Sequence, residues 1–158
     1  RSGAEVEAMR ARAVRCGAAD RVEILPWLSY EELEALKARV DVGLSPLAIN
    51  ARNRGGTPLK VLEYLSAGIP VVGSDLPSIR DLLGDIRCGL IADHTAAAWA
   101  TAIDRVLRDP PFADALSANC LALAKELSWD RRAGRILAFL DEIASGRHPN
   151  AALPSRPS

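Results

Sequence analysis

Short apolar runs of strand length alternate with longer amphipathic stretches along this chain, and that alternation limits its fold more than any other feature. The runs are residues 22–25, ended by Pro26; residues 42–45, ended by Pro46; residues 70–74; and residues 88–92. The stretches between them repeat their apolar residues at helical spacing. The first is predicted as a helix over residues 4–16, with Val6, Met9, Ala13 and Cys16 on one face and Gly17 as its stop. Ser29 and Glu32 have capping-box spacing and open a second helix carrying Leu33, Leu36 and Val40. A third runs from Pro58 to Gly68, and a short one spans residues 78–83. Trp99, Ile103, Val106 and Leu107 mark the next, and Phe112, Leu116, Cys120, Leu123 and Leu127 the one after. The last opens at Ser128 and is expected to bury Trp129, Ala133, Ile136, Leu137 and Leu140.

Strands that alternate with helices imply an α/β fold: a Rossmann-like parallel sheet with helices on both faces. The expected domain covers residues 1–144. Residues 145–158, where the composition changes to Gly, Arg, His, Pro, Asn and Ser, are expected to be a disordered tail. Ligands of such folds bind at the carboxyl ends of strands, where loops lead into helix N-termini. That directs attention to the loops at residues 26–29 and 47–57.

The chain has 20 basic and 20 acidic residues in 158, so its charge gives no reason to invoke nucleic acid. Cys16, Cys88 and Cys120 are far apart and odd in number, which favours buried free thiols in a reducing compartment over a disulfide framework or a zinc site. Neither a membrane-length apolar run nor a signal peptide is visible, and a cytoplasmic location is expected. The chain opens on Arg1 rather than methionine, as a processed chain or a piece of a longer one would. His94 and His148 are read as loop and tail residues, and Asp75 as an N-terminal cap of the helix after it.

The loop at residues 47–57 holds the most chemistry. Between Asp41 and Glu63 there is no acidic residue, while Arg52, Arg54 and Lys60 are cationic. Gly55 and Gly56 allow backbone to approach a ligand, and Thr57 is a good N-cap for a helix with Pro58 at its first position. Lys60 would then stand third in that helix, where a capping box wants Glu or Gln and where a cation opposes the helix dipole. A bound phosphate at the free N–H groups of the helix start would reverse the sign of that interaction. The plain alternative is a surface lysine paired with Glu63. Glu63 lies one turn further on, and its carboxylate can accept two hydroxyl hydrogen bonds, as from a ribose. The plain alternative there is a surface glutamate.

The run Pro58-Leu59-Lys60-Val61-Leu62-Glu63-Tyr64-Leu65-Ser66-Ala67-Gly68-Ile69-Pro70-Val71-Val72 resembles the donor-binding signature of group 1 (family 4) glycosyltransferases of GT-B fold. Asp41-Val42-Gly43-Leu44-Ser45-Pro46 before it, and Gly89-Leu90-Ile91-Ala92-Asp93 and Ser128-Trp129 after it, are similar to that family's flanking segments, so the likeness spans roughly residues 3–142 in order. The resemblance implies a hexosyltransferase-type enzyme with a nucleotide-sugar as substrate and no cofactor. It implies that Glu63 binds the donor ribose, that amides near Gly56, Thr57 and Leu59 hold pyrophosphate and sugar, and that Lys60 sits near the phosphates. The loop of Pro26, Trp27 and Leu28 matches the place that receives the base, and Trp27 is read either as a stacking partner or as a core residue.

Two departures are visible. The family often carries a second glutamate eight positions before the ribose glutamate, and here that position is Gly55. A subset with the Pro-Leu-Lys-x-x-Glu-Tyr pattern also lacks it; Asn50 and Asn53 are then candidates for holding the sugar. The family's second domain also begins with a strand, a helix and another strand that this chain does not contain. Those first strands and the acceptor-binding domain would belong elsewhere, and no turnover is expected from the chain alone. A membrane contact would run through that other domain, at the inner face of the membrane.

A complete enzyme of this kind moves a sugar from a nucleotide donor to an acceptor hydroxyl and must stabilise charge growing on the leaving diphosphate. Lys60, the helix start and Arg54 or Arg52 can supply that. No Asp-x-Asp pair exists, so metal-independent transfer is expected. The rivals are a nucleotide-sugar epimerase of the same architecture, which would need acid/base groups that the loop lacks, and a non-catalytic or degenerate nucleotide-binding module.

Overall fold

The computed structural model of the chain describes residues 3–54, 56, 58–84 and 87–147, the side chain of Arg52 excepted. Gly55, Thr57 and nearly all of the expected tail therefore lie outside the described residues. The chain divides into two units, Arg1–Ala38 and Arg39–Ser158.

In the first unit, helix α1 (Gly3–Arg15) ends where the sequence predicts, with Gly17 at φ +64°. This is the left-handed conformation that lets a glycine close a helix. A 3-10 turn (Ala19–Arg21) leads to extended chain and then to α2 (Tyr30–Lys37). The capping box at α2 is formed: Ser29 N–H donates to Glu32 Oε2 at 2.7 Å, and Glu32 N–H donates to Ser29 Oγ at 3.2 Å. This holds the Glu32 carboxyl below the usual range, first through the backbone bond from Ser29. Two expectations are corrected here. Residues 22–25 start with extended backbone at Val22 but join no ladder among the described residues, because a strand needs a neighbour to pair with. Cys16 is exposed rather than buried; it lies just past the end of α1, which itself buries none of its residues.

The second unit is built on a parallel sheet of β1 (Gly43–Ser45), β2 (Val71–Ser74) and β3 (Gly89–Ala92), in that spatial order. Helix α3 (Ala51–Arg54) and α4 (Leu59–Ser66) connect the first two strands, and α5 (Pro77–Leu83) connects β2 to β3. Helices α6 (Ala96–Arg108), α7 (Pro110–Glu126) and α8 (Trp129–Ala144) follow. Successive strand residues face opposite sides, so Val71 and Val72 enter two different cores. Val71 packs with Val61 and Leu65 of α4, Ile79 and Leu83 of α5, and Cys120 of α7. Val72 packs with Ala92 and with Ala102 of α6, joined by Trp99 and Ile103. Helices on both faces of a parallel sheet are thus observed, as the alternation requires.

The final helix is the clearest departure. Its Ser128 cap forms, yet Trp129 is 81% exposed, and Ile136, Leu137 and Leu140 are exposed as well. Apolar periodicity shows which face of a helix needs burial; it does not supply a surface to bury it. Among the described residues no helix is long and apolar enough to cross a membrane.

Candidate functional site

Because β1 and β2 are parallel neighbours, the helix between them must begin at the carboxyl edge of the sheet and end at the amino edge. The same holds for α5 between β2 and β3. The starts of α4, α5 and α6 therefore gather along the carboxyl edge, beyond Ser45, Ser74 and Ala92. This edge is where ligands bind in such sheets.

Helix α4 starts one residue later than expected. Pro58 occupies the N-cap position with no side-chain cap, and Val61 N–H donates to Pro58 O at 2.9 Å. Lys60 is thus the second helical residue rather than the third. Its position still opposes the helix dipole, and the first turn of α4 contains no acidic residue. Val61 and Leu65 anchor the helix in the core at 0% exposure, which turns Lys60 and Glu63 outward together. Lys60 and Glu63, three residues apart on that exposed face, form no ion pair with each other, so the plain reading of Lys60 as Glu63's partner is not realised. Arg54 is exposed at the end of α3 and makes no ion pair among the described residues. The result is uncompensated cations beside a helix start, with one free carboxylate a turn deeper.

The connecting loop is held from within and from outside. Asn50 caps α3 by accepting Asn53 N–H at 2.9 Å, and Asn53 Nδ2 donates to Ala48 O at 2.8 Å. Both asparagines suggested for sugar contact thus spend polar atoms on the loop itself. Ser74 Oγ accepts Leu47 N–H at 2.8 Å, and Ser78 Oγ donates to Gly56 O at 2.8 Å. Gly56 is exposed, and a Cβ there would meet nothing within 4 Å, so its backbone is open to approach. Leu59 is 74% exposed at the helix start, and Pro58 is half-buried.

Asp75 does not cap α5, whose N-cap is Leu76 with no side-chain bond. Its carboxylate instead takes both Arg80 Nε and, at 2.7 Å, the terminal Arg80 Nη2, a bidentate pair that holds it below the usual carboxylate range, His94 adding a smaller pull. His94 is exposed just before α6.

Trp27, in the first unit, is 97% exposed and Leu28 is half-buried. The reading of Trp27 as a core residue is therefore ruled out. The residues that sequence reasoning passed over are Ser74 and Ser78. Ser74 had a usable signal, since a buried serine inside an apolar strand usually finds a hydrogen-bond partner, although Ser45 of β1 does not; Ser78 had none.

Comparison with known proteins gives matches of family and of fold. The family model described as "Glycosyl transferases group 1" matches residues 2–109. A D-inositol 3-phosphate glycosyltransferase from Nocardioides sp. is 32% identical over 117 residues, covering 73% of this chain and 24% of the relative. Among solved structures, sucrose-phosphate synthase from Thermosynechococcus elongatus superposes at a TM-score of 0.75 with 23% identity, covering 92% of this chain and 36% of its own. Anabaena HepE in complex with UDP superposes at 0.65 with 17% identity, covering 84% and 36%. The chain thus spans about a quarter of the length of that relative and about a third of those structures.

Proposed function

We propose, because this chain belongs to the group 1 glycosyl transferases, that it is the donor-binding part of an enzyme moving a sugar from a nucleoside-diphosphate sugar to an acceptor hydroxyl. The observation that carries this reading is the pair Lys60 and Glu63: both exposed, one helical turn apart at the carboxyl edge, and not bonded to each other.

In this reading the Glu63 carboxylate accepts the two ribose hydroxyls. Lys60 and the free N–H groups at the start of α4 meet the diphosphate, together with backbone at Gly55, Gly56, Thr57, Pro58 and Leu59 and the Arg54 cation. As the bond to the sugar breaks, negative charge grows on the leaving diphosphate, and a cation already fixed beside it stabilises that charge without reorganisation. Lys60 is then the catalytic residue of this chain. The likeness to a structure that holds UDP supports a nucleoside diphosphate as the ligand class. Transfer itself is proposed for the whole protein, of which this chain is about a quarter by the relative's length; this chain's part of it is proposed to work without a metal, as it holds no Asp-x-Asp pair.

The test is calorimetric titration with UDP and GDP of the wild-type chain, Glu63→Ala and Lys60→Ala. Loss of a charged hydrogen-bond partner should weaken binding about 10-fold or more. Each variant should keep its melting temperature, since both side chains are exposed. A wild-type chain that binds neither nucleotide, or variants that bind as tightly as it does, would sink the assignment.

A further inference from the structure

We propose that Ser74 and Ser78 clamp the loop between β1 and α4 at its two ends, and that Ser78 is thereby a positioning residue for the nucleotide. The inference rests on the donor-site reading above and assigns it a new element, the turn from β2 into α5.

The loop leaves β1 at Pro46 and rejoins helix at Leu59. Its first anchored amide is Leu47 N–H, which donates to Ser74 Oγ at 2.8 Å, and Ser74 itself is 1% exposed. At the far end Gly56 O accepts from Ser78 Oγ, also at 2.8 Å. Both serines come from one short segment. That segment is itself fixed: Leu76 and Ile79, which flank Ser78, are 0% exposed, Leu76 N–H donates to Ser74 O at 2.8 Å, and Asp75 and Arg80 are paired across it. The loop's internal bonds, from Asn50 and Asn53, order its middle but tie it to nothing else.

Gly56 is the described residue nearest the start of α4 that is held from another element, and it lies four residues before Lys60. A flexible loop must be ordered before its amides can converge on a diphosphate, and that entropy is charged against affinity. A hydroxyl that holds Gly56 in place removes part of the cost in advance. Ser78 touches no part of the proposed ligand in this scheme; it acts through Gly56.

The experiment compares wild-type chain with Ser78→Ala and Ser78→Thr by amide hydrogen exchange over residues 47–61, where the amides of Leu47, Asn53, Arg54 and Val61 are hydrogen-bonded, and by calorimetric titration with UDP and GDP. Ser78→Ala should speed exchange in that segment and weaken nucleotide binding about 2- to 10-fold, the loss that one hydrogen bond carries. Thr, which keeps the hydroxyl, should restore both. A purely structural role would lower the melting temperature without a selective change in binding. Unchanged exchange overturns the clamp whatever the nucleotide does. Faster exchange with unchanged affinity overturns the positioning role. Wild-type chain that binds no nucleotide overturns the donor-site reading and the positioning role with it, and is told apart by needing no variant at all.

Discussion

A Cβ on Gly43 would fall 2.5 Å from Cδ2 of Tyr64, so the aromatic ring of α4 fills the space beside β1 that a side chain would need. The packing of the helix that carries Lys60 and Glu63 onto the strand before it thus depends on a missing methyl group. Gly43→Ala is expected to cost about 1–3 kcal/mol, the usual penalty for overpacking. Because the obstacle is a side chain, Tyr64→Ala in the same molecule should give back part of the loss. Gly89 is different: a Cβ there would lie 1.8 Å from the carbonyl oxygen of Val71, on the paired strand. No rotamer relieves a backbone clash, so Gly89→Ala should be the more damaging change and have no second-site remedy at Tyr64. Urea denaturation of the three variants checks the order.

Why some of this was legible in sequence and some was not follows from the range of the interactions. The Ser29–Glu32 box, the Gly17 and Gly68 stops and the three paired strands depend on residues close in sequence or on simple alternation, and all are observed. Pairing is not local, so residues 22–25 read as a strand yet join no ladder. Asp75 read as a cap because helix caps lie just before helices, but its partner is a side chain five residues on, in Arg80. Helix α3 is announced only by Asn50, and a four-residue helix has too little periodicity to register. Lys60 and Glu63 were singled out by their spacing and the family signature, whereas the Ser78–Gly56 bond links residues 22 apart in sequence.

The thiols of the second unit predict an alkaline limit to stability. Cys120 is fully buried, and its Sγ lies 3.4 Å from the carbonyl oxygen of Cys88. Burial, and then the neighbouring Cys88, push its pKa from 9.0 up to about 12, and burial raises Cys88 as well. A raised folded pKa means that the unfolded chain loses its proton first. The stability linked to this thiol is therefore fully present below pH 9.0 and falls as pH rises toward about 12. Denaturation midpoints measured from pH 8 to pH 11 should fall more steeply for wild type than for Cys120→Ala. Equal slopes would show that the thiol is not shielded. At pH 8 a maleimide should modify exposed Cys16 quickly and the other two only on unfolding.

Gly56 offers a test in which fold and function separate. Nothing lies within 4 Å of a Cβ at that position, and its backbone is not in the left-handed region. Gly56→Ala should therefore leave the melting temperature within about 2 °C, a shift that corresponds to about 0.5–1 kcal/mol at most. If the open space is where a diphosphate approaches the backbone, the same methyl group stands in its way, and affinity for UDP or GDP should drop at least several-fold. An alanine variant that binds as well as wild type would mean the space serves only solvent.

Trp27 makes the last test, because exposure removes the usual ambiguity of a tryptophan substitution. At 97% exposure it contributes nothing to a core, so Trp27→Ala should not change stability by more than about 0.5 kcal/mol. The resemblance implies that its loop receives the nucleobase, and stacking on an indole is favourable for any base. Trp129 is also exposed and Trp99 is packed beside Val72, so a change in fluorescence on adding nucleotide must be assigned by variant. Nucleotide should quench the wild-type emission, and Trp27→Ala should lose that response, with affinity about 5- to 100-fold weaker as one stacked base requires. Ribose 5-phosphate, which has no base, should bind wild type and variant alike. If the variant still binds UDP as tightly as wild type, the base is held by something other than this indole.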